Sequence, residues 1–407
     1  MFSAFIIGAL YLLFPTWIAA SHVFLLLVLI VAVVAFDRRK FRDLFRSLPA
    51  LWILFALFAV VLLGAIHTPA SWDEIKLHWV KYLRFIYPIF ILLLIAYDRR
   101  LQKIALMSFI VAMAFIVVST WLNVWFVLPW SASKVPGWGR NHFVIGDHIT
   151  QNVMVALFVV ICLQKAKETW GSSHARLWAC LAVLGAISIT HLSFGRTGVL
   201  VLIAGICCWL PTCFSGRKLI AALSVTAIVF AVGIMSSSAM TARLDKAKNE
   251  AVAHEENKTS SIGHRIYNLK TTVKMIADAP LIGHGTGAYH SEICKYLIDP
   301  AQCGTYAWHP HNQFLLLGAE HGLLGMALYA ALFVALFISA KRSADSGARG
   351  LLFALAAILF ADSLINSPFF SSRESQFFSY MIALMLALNL GAEPAPVDQK
   401  TDEPELA

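Results

Sequence analysis

Apolar runs of about 15–20 residues recur from one end of this chain to the other, each long enough, or nearly so, to cross hydrocarbon as a helix. A bilayer admits only spanning structures that satisfy their own backbone hydrogen bonds, which leaves helices and closed barrels. These runs are continuous and do not alternate apolar with polar, so helices are expected. Composition agrees: 59% of residues are hydrophobic, 14% are charged, and mean hydropathy is +0.72. That excludes a soluble domain of this length. The expected fold class is an all-α polytopic membrane protein.

Twelve spans are expected, near 3–19, 21–36, 50–66, 83–97, 104–123, 150–164, 177–193, 198–212, 219–236, 317–340, 350–366 and 376–390. The net charge of +9 invites a nucleic-acid reading, but its distribution gives a topological account. The connections 37–49, 98–103, 165–176, 213–218 and 341–349 carry 16 Lys or Arg. The short connections on the other side carry seven: Lys76, Lys81, Arg84, Lys134, Arg140, Arg196 and Arg373. The positive-inside rule then puts both termini in the cytoplasm and the long segment 237–310 outside. The expected organisation is nine helices over 1–236, an outer loop with amphipathic helices over 237–310, three helices over 311–390, and a disordered cytoplasmic tail over 391–407. The N-terminus lacks a signal-peptide pattern, so the first span is expected to be retained. Cys294 and Cys303 share the outer loop, where a disulfide and two free thiols are equally compatible with the sequence.

Chemistry should sit where polar residues meet the outer boundary. Ile262, Ile266, Leu269, Val273 and Ile276 form one apolar stripe of a helix that carries Arg265 near its start. Pro280 ends it, and Gly283-His-Gly285-Thr-Gly287 follows, a run that can expose backbone amides to phosphate but is more often an ordinary loop. Arg196, flanked by Gly195 and Gly198 between two spans, is either an interfacial anchor or an anion ligand. Asp362 falls inside the outer end of a span, where a carboxylate needs a partner; it can orient a histidine or pair with an arginine. His309 and His311 flank Pro310. They can be satisfied by water, can begin a zinc site, or can supply a general base that titrates near neutrality. Asp73 and Glu74 are read as a solvated pair beside Lys76 rather than as metal ligands.

From His311-Asn312 the chain runs nine residues to Gly322-x-x-Gly325. This resembles the His-(Asn/Ser/Gln)-x9-Gly-x-x-Gly pattern of bacterial O-antigen ligases. The arginine-bearing helix followed by Pro-Leu-Ile-Gly-x-Gly-x-Gly is also similar to the O-antigen ligase and polymerase superfamily, and an aspartate late in the chain matches Asp362. The resemblance implies a GT-C-like inverting glycosyltransferase of the Gram-negative inner membrane. Its donor would be O-antigen on undecaprenyl diphosphate, and its acceptor a hydroxyl of lipid A–core, with no metal, ATP or other cofactor and no nucleic acid. It implies His311, Arg196, Arg265 and Asp362 as catalytic residues. Arg196, Arg265, His309, Asn312, Gly283 and Gly285 would be in contact with substrate. Two alternatives stay open: an O-antigen polymerase using the same donor, and a transporter of lipid-linked glycan. The polymerase reading is weakened because the residues eleven after Arg140 and Arg265 are Gln151 and Ile276, not glycine. A transporter would show broken helices and midplane charges.

Overall fold

The computed structural model describes residues 1–253 and 260–390, so the expected tail 391–407 lies outside the described residues. Among these the chain is helical, with no strand, and each of the twelve expected spans falls on a helix. It is an all-α polytopic membrane protein. Among the described residues seven helices are long and apolar enough by themselves to cross a membrane, and the shorter apolar helices Phe2–Thr16, Pro49–Gly64 and Arg196–Thr212 accompany them. Ile18–Val34 passes the same test together with the basic helix Arg38–Ser47, which is bent from it by 110°. Ser372–Leu390 is buried from Glu374 to Ala387 and forms the centre of the bundle. Gly216–Ser236 has no buried residue and stands at its edge.

The fourth expected span begins earlier than its hydropathy indicates. Trp72–Tyr82 starts on a capping box between Ser71 and Glu74, then runs through a 3-10 turn into Tyr87–Ile95. Lys81 and Arg84, counted above among connection charges, are therefore buried, each only 6% exposed. Asp73 pairs with Lys76 at 2.9 Å while Glu74 caps the helix, so the two acids do not converge.

The two glycine motifs are halves of one structure. The helix Gln313–Arg342 is broken at Gly322, whose φ of 63° and ψ of −159° are not helical. An unbroken helix would pair the Ala319 and Glu320 carbonyls with its own later amides. Here they accept from the backbone N–H groups of His284 at 3.0 Å and Gly285 at 2.8 Å. In exchange the Leu323 and Leu324 amides donate to the carbonyls of Pro280 at 2.7 Å and Leu281 at 3.3 Å. The segment 280–285 is thus spliced as backbone into the break. A Cβ on Gly283 would land on the Glu320 carbonyl carbon and the His321 nitrogen, and one on Gly322 on the Leu281 carbonyl carbon. One on Gly285 would come within 2.6 Å of Thr68 Cα. This corrects the expectation that Gly283 and Gly285 present amides to phosphate: the amide of Gly283 donates to Ala279 at 3.0 Å and that of Gly285 is used by the splice.

Cys294 and Cys303 form a disulfide with their Cα atoms 5.1 Å apart. It ties the turn Ile293–Tyr296 to the short helix Cys303–Tyr306, which leads into the histidine segment.

Candidate active site

Asn312 starts the helix Gln313–Arg342 by capping it. Its side-chain oxygen accepts from the Leu315 amide at 3.0 Å and its Nδ2 donates to the Leu364 carbonyl at 3.0 Å. Both ends of the amide are therefore engaged by the fold. Its neighbour His311 has φ of 54° and is the only non-glycine among the described residues with positive φ. A bulky residue in that region is strained and is kept there only by its surroundings. One restraint is visible: the His311 amide donates to Nδ1 of His309 at 3.1 Å. The two rings meet edge to face with centroids 4.3 Å apart, and the His264 ring lies 5.4 Å from that of His311. Burial above all, then the neighbouring charges of Arg265 and His264, pushes His311 down to about 4. Burial, and then His311, Lys81, His264 and Arg265, pushes His309 down to about 3. Both imidazoles are neutral at pH 7. Neither ring nitrogen of His311 has a hydrogen-bond partner among the described residues.

The basic residues come from three helices. Arg196 opens Arg196–Trp209, and its guanidinium donates to the Ser261 hydroxyl at 3.3 Å. Ser261 opens Ser261–Asp278, so this bond joins Arg196 to the helix that carries Arg265 one turn later. Burial first, then the adjacent Arg196 charge, holds the Arg265 guanidinium below its ordinary value, while Asp362 acts the other way. Lys81 is the third cation. Its Nζ has no hydrogen-bond partner and lies 3.1 Å from the Phe370 ring centre and 4.8 Å from that of Trp308.

A cavity of about 560 Å³ gathers these groups at one end of the bundle. Lys81, Arg265, Trp308, His309 and His311 line it. Asp147, Thr150, Asn366 and Glu374, joined to one another by hydrogen bonds, line it as well. Arg196 stands beside the cavity, where its neighbour Thr197 contributes to the lining. Glu374, 2% exposed, accepts from the Thr150 hydroxyl at 3.1 Å and the Asn366 amide at 2.8 Å. Asp362 is fully buried beside the Asn366 side-chain amide. Arg265 lies within electrostatic reach of Asp362, with no ion pair between them among the described residues. Among the described residues no three His, Cys, Asp or Glu side chains converge as a metal-ligand set.

Lys81, Asp147, Asn366 and Glu374 escaped the sequence analysis. For Lys81 a signal existed: a lysine among Trp79, Val80, Tyr82 and Leu83 is costly unless it faces a polar interior. Glu374 opens the last span and offered the same clue.

Fold and site together define a polytopic helical membrane protein with a charged, histidine-bearing cavity where the long polar segment meets the bundle. Residues 180–330, less than half of the chain, match the family model described as O-antigen ligase. The match supports the resemblance to the O-antigen ligase superfamily and a ligase- or polymerase-type function in O-antigen processing. It includes Arg196, Arg265, both glycine motifs, His309 and His311, whereas Lys81, Asp147, Asp362 and Glu374 lie outside it. No curated protein matches the chain.

Proposed function

We propose that this protein is an O-antigen ligase. It would transfer O-antigen polysaccharide from undecaprenyl diphosphate to a sugar hydroxyl of lipid A–core, on the periplasmic face of the inner membrane. One observation carries the reading: strained His311 shares a cavity with two cations, Arg265 and Lys81, that have no carboxylate at ion-pair distance among the described residues. Such cations call for an anion, and a lipid-linked diphosphate supplies one at a membrane boundary.

Cleavage of the sugar–diphosphate bond builds negative charge on the leaving phosphate. Arg265, Arg196 and Lys81 stabilise it in place. Opposite-side attack by the acceptor hydroxyl inverts the sugar, and His311 takes the hydroxyl proton, a role worth roughly 10²–10⁴-fold in rate. The diphosphate ester is already activated, so the proposed route uses neither ATP nor a metal. Asp362 balances the charge of Arg265. Asp147 repels phosphate, and Asp147 and Glu374 accept hydrogen bonds from hydroxyls, so we assign their part of the cavity, with Thr150 and Asn366, to the acceptor sugar. The basic connections at the other end of the bundle fit cytoplasmic termini, and the Cys294–Cys303 disulfide fits an oxidising periplasm. The break at Gly322 is filled by backbone.

Deletion of the gene tests the reading. A ligase defect leaves lipid A–core without O-antigen while lipid-linked polymer accumulates. Single repeat units on the core would instead identify a polymerase, and normal lipopolysaccharide would refute both.

A further inference from the structure

Behind the cavity lies a buried ionisable pair that the proposed reaction does not use. Glu320 is fully buried on the broken helix, and its Oε1 lies 3.1 Å from Nε2 of His78, itself 5% exposed at the side chain. Nδ1 of His78 lies 2.9 Å from the Glu74 carbonyl. A carbonyl oxygen only accepts, so Nδ1 carries a proton. The Nε2–Oε1 contact then holds one further proton, as imidazolium and carboxylate or as imidazole and carboxylic acid. Both descriptions are neutral overall, which lowers the cost of burying such a pair.

The pair sits one turn from Lys81. His78 and Lys81 are three apart on Trp72–Tyr82 and so share a face. They also share a neighbour: the Phe370 ring is 5.4 Å from the His78 ring and lies under the Lys81 ammonium. At the other end, Glu320 is on backbone that the splice clamps through the Gly285 amide. Lys81, Tyr82, Tyr289 and His321 are the other ionisable groups within electrostatic reach of Glu320. A line of fixed contacts thus runs from the glycine splice through Glu320 and His78 to the helix that carries Lys81.

We propose that Glu320, acting through His78, is a positioning residue that holds the Lys81 ammonium in the cavity for the donor diphosphate. This rests on the donor assignment above. It gives a use to the acidic residue that directly precedes His321 and Gly322 in the glycine motif, and it makes the splice part of the binding machinery.

The test is a double-mutant cycle on binding of undecaprenyl diphosphate to the full-length protein in nanodiscs. Glu320→Ala should weaken binding about tenfold, the scale of one lost charge-assisted hydrogen bond. Glu320→Gln, whose amide can donate to Nε2 of neutral His78, should recover most of that loss. Adding Glu320→Ala to Lys81→Met should cost nothing beyond Lys81→Met alone, because the pair acts through the lysine. If Glu320→Ala is not monodisperse, His78→Phe replaces it in the cycle, keeping the ring beside Phe370 and removing its nitrogens. Unchanged binding in the single variant, or additive losses in the double, overturns the proposal. Wild-type protein that binds diphosphate but transfers no glycan would defeat the ligase reading and leave this cycle intact. Wild-type protein that does not bind it would overturn the role given to Lys81 and this proposal with it.

Discussion

His309 accepts the backbone N–H of His311 on its Nδ1 at 3.1 Å, so the first imidazole holds the strained peptide that aims the second. The two rings therefore have separate tasks. His311→Ala should abolish transfer, by roughly 10²–10⁴-fold, while donor binding survives. His309→Ala should cause a smaller loss, because it releases a restraint without removing the base. Turnover and donor affinity measured on both variants in nanodiscs check this. Loss of binding without loss of turnover in His311→Ala would place that residue with the phosphate ligands.

The same burial sets the pH dependence. His311, pushed down to about 4, stays neutral through pH 5–8 and fails as an acceptor only when protonated below that value. The acid limb of kcat/KM, which reports the free enzyme, should therefore fall near pH 4 and not near the usual 6.5. Arg265 is one cause of the depression, so Arg265→Gln should move the limb upward. A limb at 6.5 in the wild type would mean that His311 is solvated or is not the base.

Much of this architecture was legible in the chain. Continuous apolar runs located the apolar helices because lipid imposes length and apolarity on each helix separately. The site was legible only where a residue type contradicts its surroundings, as with Arg196 between glycines or Asp362 in a span. Lys81 and Glu374 were obscured because their burial depends on what packs around them: Phe370 and Trp308 for the lysine, Thr150 and Asn366 for the glutamate. Gly283 and Gly285 misled for a related reason. A glycine run shows that backbone must approach closely, but not whether its partner is a phosphate or, as here, another peptide.

That splice is separately testable. Gly283→Ala and Gly322→Ala each place a Cβ onto backbone at positive φ, with strain and clash costing about 3 kcal/mol or more. Both should lower the melting temperature of the purified protein, whereas Gly304→Ala, with open space around it, should not. Were these glycines a phosphate cradle instead, donor binding would fall while thermal stability held.

The acidic part of the cavity should govern the acceptor. Asp147→Asn removes a charge and Glu374→Gln a carboxyl, each keeping the shape of its side chain, so donor binding should persist while KM for lipid A–core rises. Kinetics at saturating donor read this directly. A change confined to donor affinity would reverse the assignment of the two parts of the cavity.

Arg196→Lys and Arg265→Lys keep the positive charge and should still lose most activity. Lysine is a point charge on a flexible stem and cannot reproduce the planar fork that grips two phosphate oxygens. The structure adds a distinction between them. Arg265 lines the cavity, so its replacement should raise donor KM and depress kcat together, because the same fork serves bound donor and departing diphosphate. Arg196 stands beside the cavity and donates to Ser261 at the head of the Arg265 helix. If that tie is its main contribution, Ser261→Ala should reproduce part of the Arg196→Lys defect. If Arg196 swings onto the diphosphate when donor binds, Ser261→Ala should be silent and Arg196→Lys severe. Donor KM and kcat for the three single variants decide between these, and near wild-type turnover in either lysine variant would return that arginine to the role of an interfacial anchor.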